Sequence, residues 1–354
     1  MEGVIDGTVS VSGESTLLEL DEPSQIGAAR RSAVSLGNAH GLDAEAVGRL
    51  AIVVTEAATN IVRHARRGLI VLRGLTAGAT PAIEMLALDK GPGIPEVARA
   101  MADGYSTSGT AGVGLGAMQR LSQLFEVHSQ RKMGTAVLAR IGHAPHADRT
   151  PSAQSPDDRI GAVCVALRGE SECGDAWQIR IARQQTSVLL VDGLGHGPDA
   201  ATAAARATAM FPRWAGDSPD HALPVFDSAL RGTRGAALSL AVVDERAGTL
   251  RFAGVGNVDG RVITEDATEY LVPQNGIVGH TLPPVRVIGV TWPAGARLVM
   301  YSDGINSRWR MIAYPGLSHA HPALAAGVIY RDFANARDDA SILVLDARRP
   351  EEQA

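Results

Sequence analysis

The first 141 residues alternate between helical and strand-like spacing of apolar positions. After Asp43, which has the chemistry of a helix cap, apolar residues recur every three or four positions and predict a helix, at Val47, Leu50, Ala51, Val54 and Ala58. Two more helices are predicted, from about residue 24 to 36 and over 117–124. Apolar runs bounded by turn residues predict five strands, over 16–20, 68–75, 82–88, 125–129 and 134–141.

The second half of the chain is richer in strands than the first. Its apolar runs predict helices over 200–210 and 223–230 and a longer series of strands, over 160–167, 178–181, 186–191, 234–244, 249–253, 260–264, 297–301 and 341–346. Many strands with few helices are typical of an α+β sandwich.

The stretch between the two halves has no hydrophobic periodicity and is rich in proline and polar residues, which is typical of a tether. A chain of 354 residues is also longer than one hydrophobic core usually spans. We therefore predict an α+β protein of two domains, 1–141 and 160–349, with a linker over 142–159. His143 and His146 of the linker have no Cys or third His partner at metal-site spacing, so a plain linker is favoured.

Composition and charge narrow the class of protein. The net charge of −5 and the pI of about 6.1 argue against a broad nucleic-acid or anionic-membrane surface. No apolar run is long enough to span a bilayer, and residues 1–6 lack the start of a signal peptide. Two cysteines do not form a disulfide framework. We expect a cytoplasmic protein without nucleic-acid or membrane partners.

The first candidate ligand-binding residues of the first half are two polar residues on one helix. Glu56 and Asn60 stand at i and i+4 and share a face, which fits a ligand site and equally a solvated surface. Asp89 ends a predicted strand and precedes Gly91 and Gly93. Such a carboxylate can accept a hydrogen bond from an exocyclic amine while glycine lets a ring approach, although a plain turn fits the same residues.

A glycine-rich stretch over 109–116 opens the helix predicted at 117–124. Exposed N–H groups at such a helix start suit a phosphate, and a flexible lid is the structural alternative. The stretch lacks the Gly-Lys-Ser/Thr ending of a Walker loop. No strand leads directly into it, so it does not match a Rossmann fingerprint either.

In this order, the three segments resemble the boxes of the GHKL ATPases, and most closely the anti-sigma factor and stressosome switch-kinase branch, to which residues 91–95 and 100–107 point. The resemblance implies a GHKL (Bergerat) α/β sandwich over about residues 15–141 that binds ATP. It also implies roles for single residues: Glu56 as the catalytic base, Asn60 holding Mg²⁺ on the phosphates, Asp89 reading the adenine amine, Gly91 and Gly93 shaping the base pocket, and Gly112, Gly114 and Gly116 forming the lid.

Carboxylates also stand at several strand-like ends of the second half, at Asp175, Asp192, Asp303 and Asp338. Brought together they would repel strongly without a cation, and hard oxygen ligands favour Mg²⁺ or Mn²⁺ over zinc. Two ions sharing Asp192 can lower the pKa of a bridging water, and we expect the Gly193 carbonyl to be free for the second ion. Each Asp by itself also fits a surface turn.

These segments resemble the SpoIIE-type branch of the metal-dependent, protein phosphatase 2C-like phosphatases, together with residues 234–236, 254–257 and 275–279. The resemblance covers about residues 160–347. It implies an α/β-β/α sandwich with two Mn²⁺ or Mg²⁺ ions. It implies that Asp192 and the Gly193 carbonyl bind the ions and that three further acids complete the set: Asp175, Asp303 and Asp338.

Several residues near these segments have open roles. Asp338 is favoured over Asp339 as the ligand, because Asp339 occupies a slot where the wider family often has Asn. His196 fits a general acid or a surface histidine, and Arg168 is no secure match to the family's phosphate-binding arginine. Cys164 and Cys173 are expected to be inert structural thiols.

The two resemblances together imply a bifunctional enzyme. Its first domain would phosphorylate Ser or Thr on a partner with Mg-ATP, and its second would remove phosphate from phosphoserine or phosphothreonine. The implied partners are STAS-domain proteins of a stressosome-like or sigma-factor partner-switching pathway. The alternative is an ATP-dependent anti-sigma factor that sequesters its partner, fused to a phosphatase.

Overall fold

The computed structural model describes residues 8–75, 81–101, 114–143, 156–182, 184–214 and 218–348. Packing divides the chain into two units. The first unit comprises Ser15–Asp158 and Trp309–Asp332, and the second comprises Met1–Glu14, Arg159–Arg308 and Phe333–Ala354. Two short segments differ from the domain assignment predicted from the sequence. Residues 1–14 belong to the second unit, and residues 309–332 belong to the first. The borders at 141 and 160 stay a prediction.

The first unit is built on a five-stranded antiparallel sheet in the order β2-β3-β4-β6-β5. Its strands are β2 (Thr16–Leu20), β3 (Gly68–Leu75), β4 (Ala82–Asp89), β5 (Leu124–Gln130) and β6 (Gly134–Gly142). The helices of this part of the chain are α1 (Ser24–Ala39), α2 (Ala44–Asn60), α3 (Val97–Ala100) and α4 (Leu115–Leu121).

Helix α2 is the central helix of the first unit. Asp43 caps it by accepting a hydrogen bond from the Ala46 N–H at 2.7 Å, as the sequence predicted. Its apolar stripe, which includes Leu50 and Val54, is fully buried in one core with alternate residues of the sheet, such as Ile83 and Met85 of β4. The helical spacing of apolar residues therefore selects which face of α2 lies against the sheet.

The opposite face of β4 is also buried. Glu84 lies there between two arginines, with its carboxylate 2.6 Å from the Arg73 guanidinium and 3.1 Å from that of Arg140. Burial raises the pKa of Glu84, and the two guanidinium groups overcome it and bring the pKa down to about 2. Helix α7 (Pro322–Phe333) packs nearby, because a side chain at Gly327 would meet those of Leu86 and Leu88. The segment Trp309–Asp332 is thus part of the first unit.

The second unit contains two antiparallel sheets. One has six strands in the order β1-β8-β9-β10-β11-β14, and the other has five in the order β13-β12-β15-β16-β7. The strands of the first sheet are β1 (Val9–Ser12), β8 (Asp175–Ile181), β9 (Gln185–Gly193), β10 (Ala236–Asp244), β11 (Thr249–Val255) and β14 (Ile288–Thr291). Those of the second are β7 (Ile160–Val165), β12 (Asp259–Ile263), β13 (Thr268–Leu271), β15 (Arg297–Tyr301) and β16 (Ala340–Asp346).

Helices α5 (Pro198–Met210) and α6 (Pro219–Leu230) cover the six-stranded sheet. Their buried residues, among them Phe211 and Phe226, share one core with Leu189 and Leu240 of the sheet. The alanine-rich side of α5 lets the helix approach closely: a side chain on Gly193 would lie 2.2 Å from the Ala200 carbonyl oxygen. The end of β9 is therefore fixed against the start of α5.

Most of the predicted elements are confirmed, with differences at their ends. The helix predicted over 117–124 spans Leu115–Leu121, because Ser122 is extended and its hydroxyl bonds back to the Met118 carbonyl. The strand predicted over 160–167 ends at Val165. The sequence reasoning missed three strands and two helices, β1, β13, β14, α3 and α7. Within the part of the chain that the structure describes, no helix combines the length and the apolar character needed to cross a membrane.

Candidate functional site

The first candidate site begins where α2 changes its winding. Glu56 and Asn60 lie one turn apart near the end of α2, and the chain continues as a π-helical turn over Ile61–Ala65. Such turns are frequent at functional sites. Burial raises the pKa of the half-buried Glu56, and Arg63 opposes the shift. A carboxylate with a raised pKa holds a proton better, as a general base requires.

Asp89, the last residue of β4, has its carboxylate fixed by the backbone. Its Oδ1 accepts hydrogen bonds from the N–H of Gly91 at 2.7 Å and from the N–H of Thr135 at 3.2 Å. Burial raises the pKa of Asp89, while these two bonds and the Arg331 guanidinium act to lower it. The side chain is thus held in one orientation, as recognition of an adenine amine would require.

The glycines after Asp89 are required by the packing of the chain at this turn. A side chain on Gly91 would lie 2.7 Å from the Ala65 side chain, and one on Gly93 would lie 2.3 Å from the Gln130 carbonyl oxygen. Gly93 also has a positive φ of 74°. Gly91 therefore brings the turn after Asp89 against the π-helical turn after Asn60, which places these two segments of the predicted site side by side.

The glycine-rich stretch is described only in part. Gly114 precedes α4 with open space where a side chain would be, and Gly116 is buried in the first turn of that helix. Gly112, the third predicted lid residue, lies outside the described residues, as do residues 102–113 in general. The assignment of a phosphate lid to these glycines stays a prediction.

The second candidate site lies where strands of the second unit end. In the β8–β9 ladder Asp175 is directly opposite Asp192, and the Gly193 N–H donates to the Gly174 carbonyl at 3.0 Å. Asp303 follows β15 and Asp338 precedes β16, so the two sheets each contribute acids. The four acids predicted from the sequence influence one another electrostatically, as the pKa of Asp192 shows.

Burial and mutual repulsion dominate the electrostatics of this carboxylate cluster. Burial, with added repulsion from the other acids, raises the pKa of Asp192 to about 9. Burial likewise raises the pKa of Asp175 to about 7, although the Ser302 hydroxyl acts against the shift. Burial and the nearby Asp338 also raise the pKa of the carboxyl of Asp303. A cluster of this kind favours either protons or cations.

Asp339 has a structural role in the same cluster. It is 2% exposed, and its two oxygens accept hydrogen bonds from the N–H groups of Leu167 at 2.6 Å and Gly174 at 2.8 Å. Asp338 is less buried and contacts the Asp339 N–H through Oδ1 at 2.9 Å. Because the backbone already occupies the oxygens of Asp339, Asp338 is the better candidate for a ligand, as preferred from the sequence.

Two neighbours that the sequence reasoning did not single out orient these carboxylates. The Ser302 hydroxyl donates to Asp175 Oδ2 at 2.6 Å, and the Asn257 amide donates to Asp303 Oδ2 at 2.6 Å. Both residues belong to the short motifs that carried the family resemblance, which was the available signal. Hydrogen bonds of this kind orient ligands and tune the affinity of a site.

The residues fit a hard divalent cation by the chemistry of their donors. The described residues contain no group of three or more His, Cys, Asp or Glu side chains already placed to hold an ion. Raised pKa values at Asp192 and Asp175 nevertheless mark carboxylates whose charge is poorly balanced. Mg²⁺ typically uses one or two carboxylates and keeps several waters, so carbonyl oxygen from Gly193 and water would complete such a set.

The remaining predicted residues lie around the carboxylate cluster. His196 is exposed and its Nδ1 lies 2.7 Å from Glu170 Oε1, and Arg168 is exposed in the loop after β7. The two cysteines are buried, with their Sγ atoms 3.8 Å apart. The contact with Cys173, followed by burial, raises the pKa of the Cys164 thiol, which agrees with the expected inert thiols.

Comparison with known proteins matches two parts of the chain to families. The family described as histidine kinase-like ATPase domain matches residues 20–141, and the family of stage II sporulation protein E (SpoIIE) matches residues 182–348. The chain is 35% identical over 91 residues to the serine/threonine-protein kinase RsbT of Bacillus subtilis (strain 168), covering 26% of this chain and 68% of RsbT. It is 23% identical over 141 residues to the phosphoserine phosphatase RsbX of the same organism, covering 39% of this chain and 70% of RsbX.

A solved structure is also similar to this chain. A chain from the bacterial stressosome, described as a modular system adapted to control secondary messenger signaling, has a TM-score of 0.50 and 27% identity. The similarity covers 52% of this chain and 97% of that one. As both resemblances predicted, the chain belongs to the histidine kinase-like ATPase family through residues 20–141 and carries a SpoIIE-type phosphatase domain over residues 182–348.

Proposed function

We propose that this chain is a bifunctional partner-switching enzyme of the cytoplasm. Its ATPase domain transfers phosphate from ATP to a Ser or Thr of a STAS-domain or stressosome-like partner, and its phosphatase domain removes phosphate from such residues. The observation that carries the proposal is the cluster of acids around Asp192, which shares one chain with the fixed carboxylate of Asp89. The similarity to a kinase and to a phosphatase supports the pairing.

In the phosphatase domain the chain supplies oxygen donors for divalent ions. The ions would be held by the Gly193 carbonyl and four carboxylates, those of Asp175, Asp192, Asp303 and Asp338. Mn²⁺ or Mg²⁺, when bound, supplies Lewis-acid polarisation of the phosphoryl oxygens and acidification of water. Ser302 and Asn257 hold two of the carboxylates in place, while Asp339 fixes the loops that carry Leu167 and Gly174.

In the ATPase domain the chain positions the nucleotide and takes up a proton. Asp89 accepts a hydrogen bond from the adenine amine, with its carboxylate already oriented by Gly91 and Thr135. Glu56 accepts the proton of the attacking hydroxyl, and its raised pKa suits that role. Asn60 would hold Mg²⁺, which supplies charge neutralisation on the phosphates.

The phosphatase activity is tested with a phosphoserine peptide and Mn²⁺. Release of phosphate should depend on Mn²⁺ and disappear in Asp192→Ala. Asp244→Ala is the matched control, since Asp244 also ends a strand but only accepts from the Ala247 N–H in a turn. Unchanged release by Asp192→Ala would show that this cluster is not the catalytic centre.

The kinase activity is tested in the Asp192→Ala background, so that transferred phosphate is not removed. Radiolabel from ATP should move to a STAS-domain partner and be lost when Asn60→Ala is added. Asn38→Ala, at an exposed position of α1, is the control. A stable ATP-dependent complex without label would instead establish the sequestering anti-sigma factor.

A further inference from the structure

One side chain from far along the sequence contacts the candidate nucleotide site. Arg331, near the end of α7, donates from Nη1 to the backbone carbonyl of Asp89 at 2.8 Å. The two residues are 242 positions apart, and both belong to the first unit. Arg331 lies outside residues 20–141, the range matched by the ATPase family, so the contact is an addition to that domain.

Arg331 is held in place by a set of directed bonds. Its Nε and Nη2 donate to the two carboxylate oxygens of Asp332 at 2.9 and 2.8 Å. Asp332 also accepts from the Tyr314 hydroxyl at 2.9 Å and lies 3.5 Å from the Lys90 ammonium. The Arg331 side chain is only 4% exposed. A buried guanidinium with every side of its fork in use has little freedom to move.

The Asp89 carbonyl that Arg331 contacts belongs to a closely packed peptide group. A side chain on Gly134 would lie 1.9 Å from the same Asp89 oxygen, so β6 passes close to it. The carboxylate of Asp89 is fixed by Gly91 and Thr135, as described above. Arg331 therefore fixes the main chain of a residue whose side chain is fixed by other groups. Loss of this contact would let the peptide after Asp89 rotate and carry the carboxylate with it.

We propose that Arg331 is a positioning residue of the nucleotide site and that the segment Trp309–Asp332 completes this site. The inference rests on the proposed role of Asp89 in reading the adenine amine. It assigns a part in nucleotide discrimination to a stretch of chain that lies between two acids of the phosphatase domain, Asp303 and Asp338. The ATPase domain is then functional only with this segment packed on β4.

The test measures discrimination between ATP and inosine triphosphate, which has a carbonyl where ATP has the amine. Dissociation constants for both nucleotides with Mg²⁺ are determined on the full chain. Arg331→Lys keeps the charge but loses the planar fork, and we expect the preference for ATP to fall roughly tenfold. Tyr314→Phe, which removes one bond to Asp332, should lower the preference by a smaller factor in the same direction.

Arg73→Lys is the matched control. Arg73 is also buried and bonds Glu84 on the same sheet, away from Asp89. It should lower the thermal unfolding midpoint and leave the preference for ATP unchanged. The inference is overturned if Arg331→Lys and Tyr314→Phe keep the original preference, or if Arg331→Lys weakens both nucleotides equally. If the unaltered chain shows no preference for ATP, the proposed role of Asp89 fails, and the inference fails with it.

Discussion

Asp89 and Asp192 have the same local setting and opposite surroundings. Each stands at the end of a buried strand, and glycine follows within two residues. The groups around Asp89 are two N–H donors and the Arg331 guanidinium. The groups around Asp192 are four other carboxylates, and burial with this repulsion raises its pKa to about 9. The surroundings of Asp89 suit a hydrogen-bond donor as a further partner, whereas those of Asp192 suit a cation.

The difference shows that the pKa and the binding partner of an Asp at a strand end depend on the groups that the fold places around it. For Asp89 the neighbours are largely local, because Gly91 is two residues away and Thr135 is on the adjacent strand β6. For Asp192 they come from three separate stretches of chain beside the strands of two sheets. Substitutions at the two sites should therefore have separate effects.

Asp192→Asn should have opposite effects on activity and on stability. Mn²⁺-dependent phosphatase activity should fall roughly a thousandfold, because several kcal/mol of transition-state stabilisation are lost. Burial and the other acids raise the pKa of Asp192 to about 9, so at neutral pH without metal this carboxyl must take up a proton when the chain folds. Asn avoids that cost, and in EDTA the variant should therefore unfold at a higher temperature than the unaltered chain. Calorimetry with and without Mn²⁺ measures the second effect, with Asp244→Asn as control. A lower unfolding temperature in EDTA would contradict this cost of protonation.

Asp89→Asn should affect only the nucleotide site. The amide oxygen of Asn can still accept from the Gly91 and Thr135 N–H groups, so the fold should persist. Loss of the charged acceptor should weaken ATP binding by a factor on the order of ten, as measured by titration calorimetry. Phosphatase activity should stay within twofold, as roughly expected for independent sites. Equal loss in both activities would show that Asp89 acts through the fold.

Ser302→Ala should weaken the metal site without breaking it. The hydroxyl orients Asp175 at 2.6 Å, and loss of such a bond typically costs about tenfold in metal affinity. Mn²⁺ titrations of phosphatase activity give the value. Ser239→Ala is the control, because Ser239 is equally buried and donates to the Val258 carbonyl instead. Equal Mn²⁺ affinity in Ser302→Ala would exclude this orienting role.

His321 should make the first unit sensitive to mild acid. Burial, followed by the charge of Arg140, lowers the pKa of His321 to about 4 from an ordinary value of 6.5. The unfolded chain therefore binds the proton first, and the free energy of unfolding should fall as pH drops from 6.5 to 4. The loss is on the order of 2 kcal/mol for this partly buried ring.

The same ring caps α7, since its Nδ1 accepts from the Ala323 N–H at 3.1 Å. His321→Asn keeps an acceptor and removes the titration, so its unfolding free energy should decline less over this pH range. Urea denaturation at pH 7, 5.5 and 4.5 makes the comparison. An unchanged slope in His321→Asn would assign the acid sensitivity to other groups.

Periodicity predicted the parts of the fold in which sequence neighbours determine structure. The cap at Asp43, the stripe on α2 and most strands are of this kind. Helix α7 was missed because nine consecutive residues, Pro322 to Tyr330, are all buried and apolar or glycine. A helix without a polar face shows no amphipathic pattern, and its apolar run does not distinguish it from a buried strand.

The site residues also differ in whether a local motif or only a long-range contact identifies them. Five candidate acids stand in short motifs that the sequence shows, Asp89, Asp175, Asp192, Asp303 and Asp338, whereas Arg331 has no motif beside it. Its partner is 242 positions away, and only the packing of α7 on β4 brings the two together. The pairing of β1 with β8 is also long-range, since Val9 lies opposite Ile181. No local pattern specifies contacts at such separations.

The interleaving of the two units also sets an order for synthesis on the ribosome. Residues Ser15–Asp158 emerge early, but the segment Trp309–Asp332 that covers β4 emerges only after the main part of the phosphatase domain. At typical rates of 5–20 residues per second, this face of the sheet would remain uncovered for roughly 10 to 35 seconds until the segment Trp309–Asp332 is synthesised. During that interval the buried charges of Arg73, Glu84 and Arg140 and the apolar Leu86 and Leu88 are accessible to chaperones, and the ATPase domain reaches its final form only when its neighbour is nearly complete.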